Sequence, residues 1–477
     1  MKKLFLIIIY LLCCFMSIIA KEPSKNKISS SSVSTGDIRV YFNNPVDTTV
    51  ATGRYAVYLH NAIDDTLVAY INRAKYTIDV AVYNFIQSSQ IADIAAAINN
   101  ARANGIRIRW IYNGSSSNSG LTQLNANIQT LSSPTTVDYG IMHNKFMIID
   151  ANSANDSDAI VWTGSCNWNS GQMNADINNV IIIQDKNLAQ AYTAEFNEMW
   201  GDTGAIPDLN NSKFGPFKTD NTQHIFNIGG ITVECYFSPS DNTNDYILNA
   251  LNSANSQIFF GVYTFTLRED ADAIKNKIQN QSVYAAGIID QFSVGYTPYS
   301  VLQPVMGNLL KVYTNSNSIY HNKLVIVDPC NYNSDPLVET GSHNWTFSAN
   351  TINDENTLII HDSTITNFYY QSFRQNFKNL GGTLDVCIPT GITETNELTL
   401  VNVFPDPADG DVNIEELNRN FENISLSDLT GKTIMKKNIS NSDKVKFNIG
   451  NIGNGIYILT IEGENKLLKH KLIIQHQ

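Results

Sequence analysis

Cysteine is scarce in this chain, basic side chains are fewer than acidic ones, and no long apolar run follows the first twenty residues. Six cysteines occur in 477 residues, and two of them, Cys13 and Cys14, lie in the N-terminal apolar stretch. Cys166, Cys235, Cys330 and Cys387 are spaced unlike a zinc site and are too few for a disulfide framework. They read as small buried side chains with at most one bridge. Between Asp37 and Thr390 there are 18 Lys and Arg against 31 Asp and Glu, a net of −13. Tight binding of a long polyanion needs a basic surface, so that class is disfavoured, although a local basic groove is not. A membrane span needs about 20 apolar residues, and nothing after Ile19 offers them. Disorder is excluded by a 43% hydrophobic content with 10% aromatics.

What is present begins with a targeting segment over residues 1–20. Lys2 and Lys3 precede the apolar stretch Leu4–Ile19, and Ala20 is a small residue for cleavage. Residues 21–36 are a Ser-rich linker. Two units of alternating strands and helices follow, over 37–215 and 216–390. In the first, strands are expected at Tyr76–Phe85, Ile106–Tyr112 and Asn179–Gln184, with helices at Ser88–Asn104 and Leu188–Trp200. The second retraces that order, with strands at Gln257–Phe265, Ala285–Asp290 and Thr357–Ile360 and helices at Arg268–Gln279 and Thr364–Leu380. The fold class is α/β, a duplicated domain of sheet and helix layers.

From residue 394 to 477 the texture changes to short alternating strands punctuated by Gly431, Gly453 and Gly455, which implies a small all-β sandwich. Phe404-Pro405-Asp406-Pro407, Leu429-Thr430-Gly431-Lys432, Gly455-Ile456-Tyr457 and the basic-then-apolar end resemble the C-terminal sorting domain of the type IX secretion system. The family usually has Tyr-Pro-Asn-Pro at the opening. The resemblance implies a partner, the type IX machinery, and a secreted or cell-surface location.

The two units share a pair of motifs. Tyr139 to Asp150 contains His143-Asn144-Lys145, and 178 positions later Tyr320 to Asp328 contains His321-Asn322-Lys323. Each is followed by a second match, Thr163-Gly164-Ser165-Cys166-Asn167-Trp168 and Thr340-Gly341-Ser342-His343-Asn344-Trp345. On a strand, a His and a Lys two apart share a face, and the Asn between them faces away. Duplication therefore allows two imidazoles, two ammonium groups, two hydroxyls and two carboxamides to converge on one anion. Lys145 and Lys323 would offset charge on non-bridging phosphate oxygens, while Ser165, Asn167, Ser342 and Asn344 would add neutral donors to the phosphate. One imidazole can attack phosphorus and the other protonate the leaving alcohol. No His/Asp/Glu cluster has metal spacing, so the chemistry is expected to run without metal or cofactor.

The paired motifs resemble the phospholipase D superfamily, with its His-x-Lys-x4-Asp and Gly-Ser-x-Asn signature, over about Val50 to Leu380. The resemblance implies a pseudo-twofold bilobal core of two α/β/α units with one active site at their interface. It also implies an acid about 13 residues after each motif serine. That position is Glu355 in the second unit but Asn178 in the first. The family pattern pairs the acid of one half with the histidine of the other, hence Glu355 with His143, making His143 the nucleophile and His321 the general acid. Asp176 is a possible substitute for the missing acid, given a backbone shift. Asp150 and Asp328 fall on the face opposite the lysines and are expected to be structural, and Trp168 and Trp345 to pack behind the asparagines. Phe292, Tyr296 and Tyr299 are candidates for transient membrane-surface contact. The expected activity is removal of a phospholipid headgroup by a monomeric hydrolase. The alternative is a metal-independent endonuclease that cleaves DNA or RNA, for which Lys75, Arg107 and Arg109 form the only basic cluster near a core strand.

Overall fold

The computed structural model describes residues 36–331, 333–384 and 386, and in the C-terminal part 393–394, 402–405, 408–415, 421–428, 432–439, 444–463 and 466–476. The targeting segment, nearly all of the Ser-rich linker and Cys387 lie outside the described residues. Two eight-stranded mixed sheets form the core. In the first the spatial order is Val57–Tyr58, Ile38–Phe42, Asn179–Ile183, Ile160–Gly164, Lys145–Ile149, Thr77–Val82, Arg107–Tyr112, Gln129–Ser132. The second sheet repeats the central arrangement: Glu355–His361, Leu337–Gly341, Lys323–Val327, Gln257–Val262, Tyr284–Asp290, Leu310–Tyr313, with the hairpin Ile225–Ile228 and Ile231–Ser238 at the other edge.

These elements follow from local sequence. Ser88 accepts a hydrogen bond from Ile91 N and so starts the helix Ser89–Ala103. Asp185 and Asp362 do the same for the two closing helices, Lys186–Trp200 and Ser363–Asn379, and Gly201 at φ 79° ends the former. Those helices supply Tyr192, Phe196, Tyr369, Tyr370 and Phe373 to one apolar cluster built from residues of both halves. Each sheet packs its other face into a cluster of its own, around Trp110 and Ile149 in one and Phe260 and Val327 in the other. Trp168 and Trp345 are buried there, edge-on to Phe85 and Phe265.

Polar contacts join the halves with the same duplication. Asn356 donates to Thr163 (2.8 Å) and Tyr192, while Asn179 accepts from Thr340 (3.0 Å) and Tyr369. Leaving one such buried group unpaired costs about 1–3 kcal/mol, so the network fixes how one half sits on the other. Asn322, expected on the strand face opposite His321 and Lys323, is part of it: its Oδ1 accepts from Asn179 (2.8 Å) and Ser165 (3.2 Å).

The segment that carries Phe292, Tyr296 and Tyr299 is largely regular. Gln291–Gly295 is a 3-10 turn and Thr297–Met306 a helix with Pro298 in its first turn, where the missing N–H would have had no partner anyway. The C-terminal part has a five-stranded and a three-stranded sheet around their own core of Val412, Ile414, Ile424, Leu459 and Leu472. Thr393–Glu394 pairs as a parallel strand with Lys466–Leu467. No helix among the described residues is long and apolar enough to cross a membrane.

Candidate active site

The site forms where each half's His-x-Lys segment meets the other half. The extended chain runs into the strand Lys145–Ile149 from Met142, which bridges Asp354, and into Lys323–Val327 from Tyr320, which bridges Ile177. His143 N donates to Asp354 O (2.9 Å) and His321 N to Ile177 O (3.0 Å). Each histidine is therefore pinned by the opposite half at the residue just before Glu355 or Asn178. His143, Lys145, His321 and Lys323 are all buried.

The imidazoles differ in what holds them. His143 Nδ1 lies 2.8 Å from Glu355 Oε2 and 3.0 Å from Oε1, whereas His321 Nδ1 lies 3.0 Å from Asn178 Oδ1. Burial lowers His143 to about 4, Glu355 acting the other way. Burial raises Glu355, but His143 and Lys145 outweigh it and hold the carboxyl below its usual range. The pair therefore rests as a carboxylate accepting from a neutral ring, which leaves Nε2 with its lone pair. His321 is pushed well down by burial, then by Lys323, Lys145 and His143, with no carboxylate to oppose them.

Each lysine donates back to its own motif carbonyl, Lys145 to His143 O and Lys323 to His321 O, both at 2.5 Å. Burial lowers Lys145 to about 7 and Lys323 well below its usual value. Two tyrosines missed in the sequence sit at matching places. Tyr83 lies edge-on to His143 (5.1 Å) and 5.4 Å from Lys145 Nζ; Tyr263 lies against His321 (5.2 Å) and 5.2 Å from Lys323 Nζ. The aligned strings Val82-Tyr83-Asn84-Phe85 and Val262-Tyr263-Thr264-Phe265 contained that signal.

The motif serines turn toward the groups behind the imidazoles. Ser342 Oγ donates to Glu355 Oε2 (2.6 Å) and Ser165 Oγ to Asn178 Oδ1 (2.8 Å), and both are fully buried. These hydroxyls orient the groups behind the imidazoles. Asn167 is buried with Oδ1 unpartnered, and Asn344, half-buried, accepts from Thr264 N at 3.4 Å. Asp176 does not replace the missing acid, because its oxygens accept from Ile319 N (2.8 Å) and Gln172 (2.6 Å). Asp150 accepts from the backbone N–H groups of Lys75, Tyr76 and Thr77, and Asp328 from those of Asn255, Ser256 and Gln257. Both aspartates anchor the turn at the far strand end.

The basic cluster dissolves in three dimensions. Arg109 is buried on Asp79 (2.7 Å), Arg107 shares that carboxylate (3.0 Å), and Lys75 pairs with Asp158 (2.6 Å). Phe292 and Tyr296 are exposed while Tyr299 is half-buried, and Phe292 stacks on Tyr263 at 6.0 Å. Among the described residues one group has metal-ligand geometry that its sequence spacing did not reveal: Asp220, His224 and Asp241, with ligand atoms within 4.8 Å. It shares no residue with the histidine–lysine pairs. Cys166 and Cys235 are free and buried, and Cys330 is disulfide-bonded.

Residues 67–200 and 247–378 match the family described as cardiolipin synthase, PLD-like domain, and residues 402–475 match the secretion system C-terminal sorting domain. The chain is similar to a mitochondrial cardiolipin hydrolase of Drosophila melanogaster, 33% identical over an alignment of 153 residues that covers 28% of this chain and 57% of that protein. It is similar to a phospholipase D of Rickettsia conorii, 31% identical over 112 residues, 23% of this chain and 52% of that protein. The chain thus spans about half the length of these curated relatives. Among solved structures it is similar to a phosphatidylserine synthase of Haemophilus influenzae, at 14% identity and TM-score 0.49, covering 67% of this chain and 87% of that one. A phospholipase D family member from Salmonella typhimurium aligns at 26% identity and TM-score 0.27, covering 31% of this chain and 95% of that one.

Proposed function

The chain belongs to the phospholipase D-like domain family, and from that premise we propose that it is an exported phosphodiester hydrolase acting on a phospholipid headgroup ester. The observation that carries the reading is the convergence of two intact His/Lys pairs from the two halves, with Glu355 on His143 Nδ1. His143 Nε2 attacks phosphorus, the bond to the headgroup oxygen breaks, and His321 gives its proton to that oxygen. His321 then takes a proton from water, whose oxygen displaces His143 and restores the neutral ring. The two lysines, drawn into the ammonium form by the substrate's negative charge against the effect of burial, oppose the charge on the non-bridging oxygens, in a site dry enough for each to count for more than in water. The substrate's own negative charge favours the imidazolium that His321 needs. These steps use no metal.

Cleavage of DNA or RNA is the lesser reading, since Arg107, Arg109 and Lys75 are already spent on aspartates. The matched sorting domain points to secretion or the cell surface through the type IX machinery. One assay pair tests the substrate. Purified protein, with chelator present, is given phosphatidylcholine/phosphatidylethanolamine vesicles and, separately, single- and double-stranded DNA. Headgroup release without DNA cleavage is expected; DNA cleavage alone reverses the assignment.

A further inference from the structure

Behind the His143 side of the site lies a buried ionic cluster that the reaction does not use. Lys218, in the segment between the two halves, is buried and touches three elements: Glu195 on the closing helix of the first half, Asp354 Oδ1 at 3.1 Å, and Ser238 O at 2.8 Å in the second half. Asp354 also accepts from the Tyr139 hydroxyl and from Gly215 N (2.7 Å). Around it the chain segments zip together. Asp354 N donates to Ile141 O (3.0 Å), Asp354 O accepts from His143 N (2.9 Å), and Asn353 Oδ1 accepts from Ile141 N (3.1 Å). The approach is close enough that a Cβ at Gly140 would lie 2.2 Å from Asn353 Oδ1, and one at Gly215 would lie 2.6 Å from Ile352 O.

The other side of the site shows what this ribbon looks like without the charge. Ile177 occupies the place of Asp354, His321 N donates to Ile177 O (3.0 Å), and Asp176 caps Ile319 N as Asn353 caps Ile141 N. Backbone pairing alone thus suffices to dock a histidine. The ionic cluster is added on the one side where a carboxylate must meet an imidazole with both oxygens in range. Removing one partner of a buried pair strands a charge, whereas replacing all partners by apolar groups is often neutral for stability.

We propose that Lys218 is a positioning residue, which through Asp354 fixes the adjacent Glu355 against the His143 ring and so sets the nucleophile. Lys218 touches no reacting atom. It holds a joint made of both halves, and a displacement of about 1 Å at a nucleophile can cost on the order of 10²-fold in rate. The inference rests on the phosphodiesterase reading for its rate effect, but its geometric part does not.

The test uses the full chain and the triple variant Lys218→Met/Glu195→Met/Asp354→Leu, which makes the ribbon apolar as it is at Ile177. Phosphohistidine formation is read in single turnovers of radiolabelled p-nitrophenyl methyl phosphate, beside thermal unfolding and a crystal structure. The expected result is a wild-type unfolding midpoint, unchanged KM, phosphohistidine formation down by on the order of 10²-fold, and a His143–Glu355 contact lengthened past hydrogen-bond range. A wild-type rate in the triple variant overturns the proposal and leaves the cluster a stability feature. Should the triple variant fail to fold, Tyr139→Phe, which deletes one donor to Asp354, is expected to slow the step by about tenfold; no change there overturns it equally. If the wild type forms no phosphohistidine, the phosphodiesterase reading fails, and the crystal structures decide: an unmoved His143–Glu355 contact in whichever of the two variants folds refutes the positioning role, and a lengthened one supports it.

Discussion

The two halves carry the same His-x-Lys and differ in what stands behind the ring. Glu355 backs His143 with a charge, while Asn178 backs His321 with a dipole. The serines show that the difference is chemical and not architectural: Ser342 and Ser165 make the same hydrogen bond, to a carboxylate in one half and a carboxamide in the other. Two neutral resting imidazoles result, but only one gains a counter-charge when it becomes cationic. A phosphohistidine needs that counter-charge. An acid that gives its proton away in the first step does not. Under the proposed assignment, one matching architecture carries two unequal roles because a carboxylate stands behind one ring and a carboxamide behind the other.

The largest effect should come from breaking the comparison at the histidines. His143→Ala should abolish turnover of every phosphodiester, by roughly 10⁴-fold or more, with no covalent intermediate. His321→Ala should hurt poor leaving groups far more than p-nitrophenolate, which needs little protonation. An intermediate that accumulates in His143→Ala but not in His321→Ala would reverse the roles. Next in size, Glu355→Gln should lower turnover by about 10³-fold while the fold survives, because the amide cannot stabilise the cation.

Asn178→Asp sharpens the comparison instead of breaking it. His321 must be protonated to act as an acid, and its affinity for protons is depressed by burial and by the lysines. With a poor leaving group, kcat/KM should therefore fall as pH rises, the limb lying on the acid side of the ordinary imidazole range. A carboxylate at position 178 raises the His321 pKa by about 1–3 units, so the falling limb should move to higher pH by a similar amount. A limb that stays in place would remove His321 from the acid role.

The halves differ again in their interiors, with a smaller consequence. At the place of Trp162 the second half has Glu339, fully buried, with neither oxygen partnered. Burial raises it well above the usual carboxyl range, and Asp270 nearby raises it further. Asp270 is itself pushed by burial to about 8. A carboxyl whose folded value is raised gives stability that is complete below its unfolded pKa and is lost as pH climbs through the folded one. For Asp270 the loss should run from about pH 4 to about pH 8, with a slope of up to about 1.4 kcal/mol per unit. Asp270→Asn should flatten that part of the profile in thermal unfolding between pH 5 and 8.

How much of this was legible depended on range. The duplicated order of strands and helices and the two motif pairs are local patterns, and the sequence displayed them. What it hid were partners supplied by the fold. Arg107 and Arg109 looked like a phosphate groove because Asp79, on the neighbouring strand, becomes their partner only when residues 79 and 109 pair in register. Ser165 and Ser342 read as phosphate donors because nothing local told that their hydroxyls turn inward. The Asn322 contact with Asn179 needed the opposite half. Periodicity gives a side chain's face, not who waits there.

The smallest effect expected on catalysis comes from the C-terminal part, and it breaks a different comparison, core against appendage. Its apolar core of Val412, Ile414, Ile424, Leu459 and Leu472 is its own, so ordering it needs nothing from the catalytic sheets. None of the site's residues lies in it. Ending the chain before residue 402 should therefore change kcat/KM on a soluble phosphodiester by less than about twofold, within the range of surface changes that touch no partner. The same truncation should keep the protein in the periplasm of its native host, and fusing residues 394–477 with the N-terminal segment to an unrelated exported protein should carry that cargo outside. Cell fractionation with an activity assay reads both. A truncated protein that still leaves the cell refutes sorting. One that stays folded but loses turnover only on vesicles makes the module a lipid-surface contact instead, and places on the appendage the substrate affinity that Phe292 and Tyr296 are expected to supply from the core.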